Sequence, residues 1–270
     1  MATKWFLSQL STEVEDNMRL YAVKTRLLKS GDDLADIILE SLKKQNLQLE
    51  DDDVLAVTSK IVAYAQNRLI KLSDAKPSAK AKELAQRFSL TPEFAELVLR
   101  ESDKIYGGVE KAVLTLKNGI LTANAGIDNK NAPIGHVALW PTDVKQWAGS
   151  FRNEIKRRTG KKVAILVVDS RLAPLRRGTT GLALSVAGFK PVWDERGEKD
   201  IYGKPLVITQ HAVADDLASA VHALMGEAAE RTPIVLIREA QVEFDDNAYD
   251  SADMMIPFKE CIFMSAFGYS

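Results

Sequence analysis

Apolar residues along this chain switch repeatedly between the spacing of strands and the spacing of helices. Residues 163–168 (Val-Ala-Ile-Leu-Val-Val) are six consecutive apolar positions, mostly β-branched, and predict a strand covered on both faces that ends at Asp169. Further strands are predicted at residues 19–23, 53–58, 119–123, 182–186, 206–210 and 233–238. Helical spacing predicts helices at residues 33–44, 77–102, 140–159 and 213–225. Their ends carry fitting chemistry. Asp32 or Asp33 suits an N-cap, Thr91-Pro92 suits a cap followed by a first-turn proline, and Gly160 and Gly226 suit C-caps. Asp215 and Asp216 complement the dipole of the last helix, and residues 198–205 read as a surface turn. The alternation predicts an α+β (mixed α/β) fold. Without repeats or an evident linker, residues 18–270 are expected to form one unit of interleaved subdomains, with residues 1–17 as an extension carrying a short extra helix.

At 270 residues the chain can bury a large core. A net charge of -1 gives no reason to expect nucleic acid or an acidic membrane as partner. Cys261 is the only cysteine, so no intrachain disulfide can form. No apolar run reaches membrane-span length, and Ser8, Ser11, Glu13 and Glu15 interrupt any signal-type segment, so the cytoplasm is the expected location.

The carboxyl end of a buried strand is where open α/β sheets hold ligands, which directs attention to Asp169. A carboxylate there can bind a hard cation, and Ser170 can add a hydroxyl oxygen. Arg171, Arg176 and Arg177 follow in a glycine-bounded loop, a composition that suits a polyanion, although a solvated turn gives the same pattern. A second acid has a similar setting. Residues 124–131 (Asn-Ala-Gly-Ile-Asp-Asn-Lys-Asn) follow a strand, so Asp128 could share a cation with Asp169, Gly126 permits close approach, and Asn131 could hold a sugar, base edge or phosphate. An Asn-rich β-turn reads the same way. Ser59 and Lys60, after the strand at residues 53–58, are a third anion contact, and Glu227 beyond Gly226 is a third acid. P-loop, dinucleotide-fingerprint, zinc-type and serine-elbow motifs are all missing from the sequence. What is left suits magnesium or manganese and phosphate chemistry.

In several segments, taken in order, the chain resembles the gamma-glutamyl ligases of the deazaflavin coenzyme F-420. They are Gly31-Asp32-Asp33-Leu34, residues 53–60, residues 124–131, Asp169-Ser170, and residues 213–217 with Met225-Gly226-Glu227. The resemblance runs from about Arg19 to Arg238 and implies a family-specific fold. It also implies a GTP-dependent ligase with two Mg2+ or Mn2+ ions, and potassium as a further ion. The family's acyl-phosphate route would join L-glutamate to a small-molecule carboxylate acceptor, in a homodimer. By matching positions, Asp128 and Asp169 would hold one metal, with Ser170 and Glu227 at a second. Thr25, Arg26, Leu27, Leu28, Ser59, Lys60 and Asn131 would surround the nucleotide, together with Met225, Gly226, Glu227, Ala228, Ala229, Glu230, Arg231 and Thr232. Arg171, Arg176 and Arg177, with Asp169, are the candidate catalytic groups.

Two segments depart from the family pattern. Tyr64-Ala65-Gln66-Asn67-Arg68 stands where the family carries a lysine followed by Ala-Glu-Gly-Arg, and Asp169-Ser170-Arg171-Leu172-Ala173 replaces Asp-Thr-x-Gly-Arg. These changes leave a folate-type acceptor, or a silent nucleotide-binding role, as alternatives to an F-420-0-like acceptor.

Overall fold

The computed structural model describes residues 17–28 and 31–269; the expected N-terminal helix falls on residues outside these. The chain starts with β1 (Arg19–Val23), α1 (Leu34–Lys44), β2 (Val54–Thr58) and α2 (Ser59–Ala65). Next come β3 (Leu69–Lys71), α3 (Ala79–Phe88), α4 (Pro92–Glu101), β4 (Lys104–Val109), β5 (Ala112–Lys117), β6 (Ile120–Ala123) and β7 (His136–Ala138). They are followed by α5 (Val144–Thr159), β8 (Ala164–Leu172), β9 (Thr179–Phe189), β10 (Trp193–Asp194) and β11 (Gln210–His211). Helix α6 (Val213–Met225), β12 (Ile234–Arg238) and β13 (Phe244–Asp250) lead to short C-terminal helices.

The fold is α+β. Six strands form a mixed sheet in the order β1-β12-β2-β8-β9-β13. Only β2 and β8 run parallel, with Val54 opposite Ala164 and Thr58 opposite Val168. Because side chains alternate across a strand, Leu55, Val57, Ile165 and Val167 pack with α1 and α5 on one face. Val54, Ala56, Leu166 and Val168 pack with α6 on the other. Both faces are therefore covered, as the unbroken apolar run of residues 163–168 predicts. The β3–β7 segment is inserted between β2 and β8, and it carries its own three-stranded sheet, β4-β5-β6, and separate small cores.

Helix caps follow the sequence closely. Asp33 accepts from the Asp36 N–H at 3.1 Å, and Thr91 accepts from the Phe94 N–H at 3.3 Å. Four elements depart from expectation. The predicted helix over residues 77–102 is two helices, because Ser89 takes φ 54 and ends the first. The predicted helix from residue 140 starts at Val144, since Trp140 precedes a proline and Asp143 sits at φ 48. Of the strand at residues 206–210 only Gln210 pairs, because Val207 and Ile208 are exposed and have no sheet to cover. The strand expected to end at Asp169 continues to Leu172 and forms a hairpin with β9, pairing Asp169 with Leu182 and Arg171 with Thr180.

One surface network makes a pH prediction. Arg158, in the last turn of α5, reaches the α1 N-cap Asp33 at 2.6 Å and Asp36 of the first turn at 2.5 Å, and it also holds Glu154. Hydrogen bonds from Arg157 and Arg158 pull the Glu154 carboxyl down to about 2 from its ordinary 4.5. A depressed carboxyl stabilises the fold above its unfolded pKa and loses that contribution as pH falls toward the folded value. Between about pH 5 and pH 3 the parent should therefore lose slightly more thermal stability than Glu154→Gln. Because the network is exposed, the difference should shrink in high salt.

Candidate active site

The carboxyl ends of β2 and β8 lie side by side because these strands are parallel. Antiparallel β12 starts at the same end, where the Thr58 N–H donates to the Pro233 carbonyl at 2.9 Å. The segment after β1 joins it, with the Thr25 N–H donating to the Arg231 carbonyl at 3.1 Å. A cavity of about 610 Å³ opens at this end of the sheet, within the roughly 300–1,000 Å³ usual for ligand sites. Gly126, Asp128 and residues 131–133 and 138–140 add a further wall.

Asp169 is half-buried at the base of this cavity. Its Oδ2 accepts from the Ser59 hydroxyl at 2.7 Å, and its Oδ1 accepts from the Ser170 N–H at 2.6 Å. Loss of hydration pushes its carboxyl up. The two hydrogen bonds oppose that shift, the charge of Asp128 adds to it, and the nearby Trp140 N–H opposes it again. Asp128 is held differently: Lys60 Nζ lies 2.6 Å from Oδ2, and the Lys130 N–H donates to Oδ1 at 2.7 Å. Lys60 also donates to the Lys130 carbonyl at 2.9 Å.

The loop bearing Asp128 owes its shape to a left-handed turn. Asn124, Ala125 and Gly126 have φ of 52, 55 and 72, a sequence of conformations that L side chains rarely adopt. The turn is anchored by Asn124 Oδ1, which accepts from the Val113 N–H at 2.8 Å, and by Thr115 Oγ1, which accepts from the Ala125 N–H at 2.8 Å. Gly126 then packs against Trp140, and a Cβ there would stand 2.2 Å from ring atom Cε2.

At the other end, Glu227 accepts from Thr179 and His222 at 2.8 Å each and from Lys130 at 3.2 Å. Burial raises its pKa, but these three donors outweigh it and bring the carboxyl down to about 2. Asn131 Nδ2 donates to the Ala228 carbonyl at 2.7 Å, tying the 225–232 loop to the inserted segment. Thr232 Oγ1 caps the end of α6 by donating to the Met225 carbonyl at 2.9 Å.

Thr25, Arg26, Leu27, Leu28, Ser59, Lys60, Asp128, Asn131, Asp169, Ser170 and residues 225–232 all line this one cavity. The three candidate catalytic arginines do not. Arg171 lies 3.5 Å from Asp215 of α6, while Arg176 and Arg177 are exposed on the β8–β9 turn. Continuation of β8 past Asp169 explains this, since it carries the basic segment away along the hairpin. The arginines lining the cavity are Arg26, paired with Asp32 at 2.6 Å, and Arg231. Sequence reasoning missed His222 and Trp140. Trp140-Pro141 held a usable signal, because a residue before proline is driven to extended backbone and cannot open a helix.

With this geometry in view, comparison with known proteins is decisive. The sequence pattern of the F420-0:gamma-glutamyl ligase family matches residues 22–239. The chain belongs to that family. It is 37% identical over 221 residues to the coenzyme F420:L-glutamate ligase of Methanopyrus kandleri, covering 82% of this chain and 86% of the relative. Similar proteins of that name occur in Methanothermobacter thermautotrophicus (37% over 213 residues; 78% and 84% covered) and Archaeoglobus fulgidus (36% over 216 residues; 80% and 85% covered). The chain is accordingly an enzyme of the gamma-glutamyl ligase class, and the matched span includes every residue that lines the cavity. No helix among the described residues is long and apolar enough to cross a membrane.

Proposed function

We propose that this ligase uses GTP to join the amine of L-glutamate to a carboxylate of an F420-0-like acceptor through an acyl phosphate. The observation that carries the reading is the meeting of Asp128 and Asp169 with the 225–232 loop around one ligand-sized cavity. Among the described residues no three Asp, Glu, His or Cys side chains gather as a metal-holding group. That donor set still fits a nucleotide-borne ion, because Mg2+ commonly takes only one or two protein carboxylates, with phosphates and water supplying the rest. Asp128 and Asp169, with the Ser170 hydroxyl beside them, would hold Mg2+ or Mn2+. When bound, such an ion neutralises phosphate charge and favours in-line transfer. Glu227 already has three donors, so in this reading it orders the nucleotide end of the cavity instead of holding a second ion.

The reaction then balances in two steps. An acceptor carboxylate oxygen bonds the γ-phosphorus of GTP, and GDP leaves with the electron pair of the broken P–O bond. The free amine of glutamate next attacks the acyl carbon, the C–O bond to phosphate breaks, and inorganic phosphate leaves while the amine proton passes to solvent. Lys60, paired with Asp128 on the cavity wall, lessens that carboxylate's repulsion of an incoming triphosphate. Tyr64, which donates to the Asn131 carbonyl at 3.2 Å, steadies that wall. Tyr64→Phe should weaken GTP binding by less than about tenfold, as for one neutral hydrogen bond, measured by calorimetry.

The test is glutamate-dependent phosphate release with GTP and Mn2+ in parallel arms containing F420-0, dihydrofolate, tetrahydrofolate or no acceptor, with mass analysis of each acceptor. The F420-0 arm should release phosphate and yield a product heavier by one glutamyl residue. Turnover confined to a folate arm would replace the acceptor. Release in no arm would overturn the reading.

A further inference from the structure

Trp140 lies on the floor of the cavity with 4% of its surface exposed, and its Nε1–H has no hydrogen-bond partner among the described residues. A buried donor normally finds an acceptor, so one left open at a ligand cavity calls for an explanation. Several contacts hold it in place. Its ring fills the space that the missing Cβ of Gly126 leaves. The carbonyl of Trp140 accepts from Arg68 Nε at 3.0 Å, and Arg68 is in turn held by Glu101 at 2.6 Å. Two residues on, Thr142 and Gln66 exchange a pair of hydrogen bonds of 2.9 Å each. The strap carrying Trp140 is thereby clamped to the segment just after α2, and α2 opens with Ser59, which donates to Asp169.

The two carboxylates of the site differ in a way that gives this donor a role. Asp128 is paired with an ammonium group, Lys60. Asp169 receives only neutral donors, from Ser59 and the Ser170 N–H, and the Trp140 N–H, close by in the same cavity, forms no hydrogen bond. Neutral donors orient a carboxylate and leave its charge available to a cation. Such bonds are often poorly aligned before ligand binds and tighten afterwards.

Building on the ligase reading above, we infer that Trp140 is a positioning residue for Asp169, its indole N–H fixing the direction in which that carboxylate meets a divalent cation. Gly126 and Trp140 together then set the distance between the Asp128 loop and the end of β8. Neither residue needs to touch the acceptor.

The experiment compares the full-length parent with Trp140→Phe, which keeps a smaller aromatic ring near Gly126 and removes the donor. Free Mn2+ is followed by paramagnetic resonance in the presence of GTP. The folded variant should bind Mn2+ about tenfold more weakly, as for one hydrogen bond to a charged group. Its kcat should fall while KM for glutamate stays near the parent value. Should the smaller ring unsettle the fold, 3-benzothienylalanine at position 140 keeps the two-ring shape, replaces the N–H by sulfur, and must show the same loss. Parent-like Mn2+ affinity in a folded variant overturns the positioning role and leaves the ligase reading intact. A parent that takes up neither GTP nor Mn2+ overturns both.

Discussion

Replacing Asp169 by asparagine is expected to lower glutamate-dependent phosphate release by on the order of 10³-fold, the scale seen when one member of a cooperating catalytic set is removed. The same change should move the thermal midpoint by only a few degrees. An asparagine Oδ1 can keep accepting from the Ser170 N–H, now at 2.6 Å, while its amide donates to the Ser59 hydroxyl in place of the present 2.7 Å bond. Burial disfavours the charge that the substitution removes, so loss of hydration argues against a stability penalty. Activity and stability therefore separate at this position. A variant that released phosphate at the parent rate would remove Asp169 from the chemistry, and one that failed to fold would make it a structural residue.

Gly126→Ala should act on both properties at once. Alanine would have to hold φ 72, and its Cβ would stand 2.2 Å from the Trp140 ring. Left-handed backbone costs an L residue about 1–2 kcal/mol, and forcing an extra carbon into a packed site costs roughly 1–3 kcal/mol more. The expected loss is therefore about 2–5 kcal/mol in denaturant unfolding. Because the ring also borders Asp169, phosphate release should fall even at temperatures where the variant stays folded. A loss below about 0.5 kcal/mol, typical of an unconstrained surface position, would mean that Trp140 moves freely and fixes nothing.

The sequence carried the sheet's centre well because the signal there is physical redundancy. Residues 163–168 are apolar throughout and mostly β-branched, which in so short a run favours a strand buried on both faces. Helix ends were legible for the same reason: Asp33, Thr91 and Gly160 each satisfy backbone groups locally, whatever the rest of the chain does. The end of β8 was not legible. Asp169, Ser170 and Arg171 are poor strand formers, and they stay in register only because β9 pairs with them, a long-range fact absent from local composition. The three arginines consequently lie along the hairpin, outside the residues that line the cavity. Strand β13 was missed on similar grounds: its acidic residues suit a sheet edge, where charge discourages further pairing. Order along the chain sufficed to gather Asp128, Asp169 and the 225–232 loop through family resemblance. The clamp that Gln66 and Arg68 place on the Trp140 strap depends on side-chain geometry that no sequence pattern displays.

The most direct measurement uses an acceptor whose carboxylate carries heavy oxygen, incubated with GTP, Mn2+ and L-glutamate. Activation by phosphoryl transfer predicts that one labelled oxygen leaves in the inorganic phosphate, in step with amide formation and GDP release. Amide product accompanied by unlabelled phosphate would show that the carboxylate is never phosphorylated and would contradict the account.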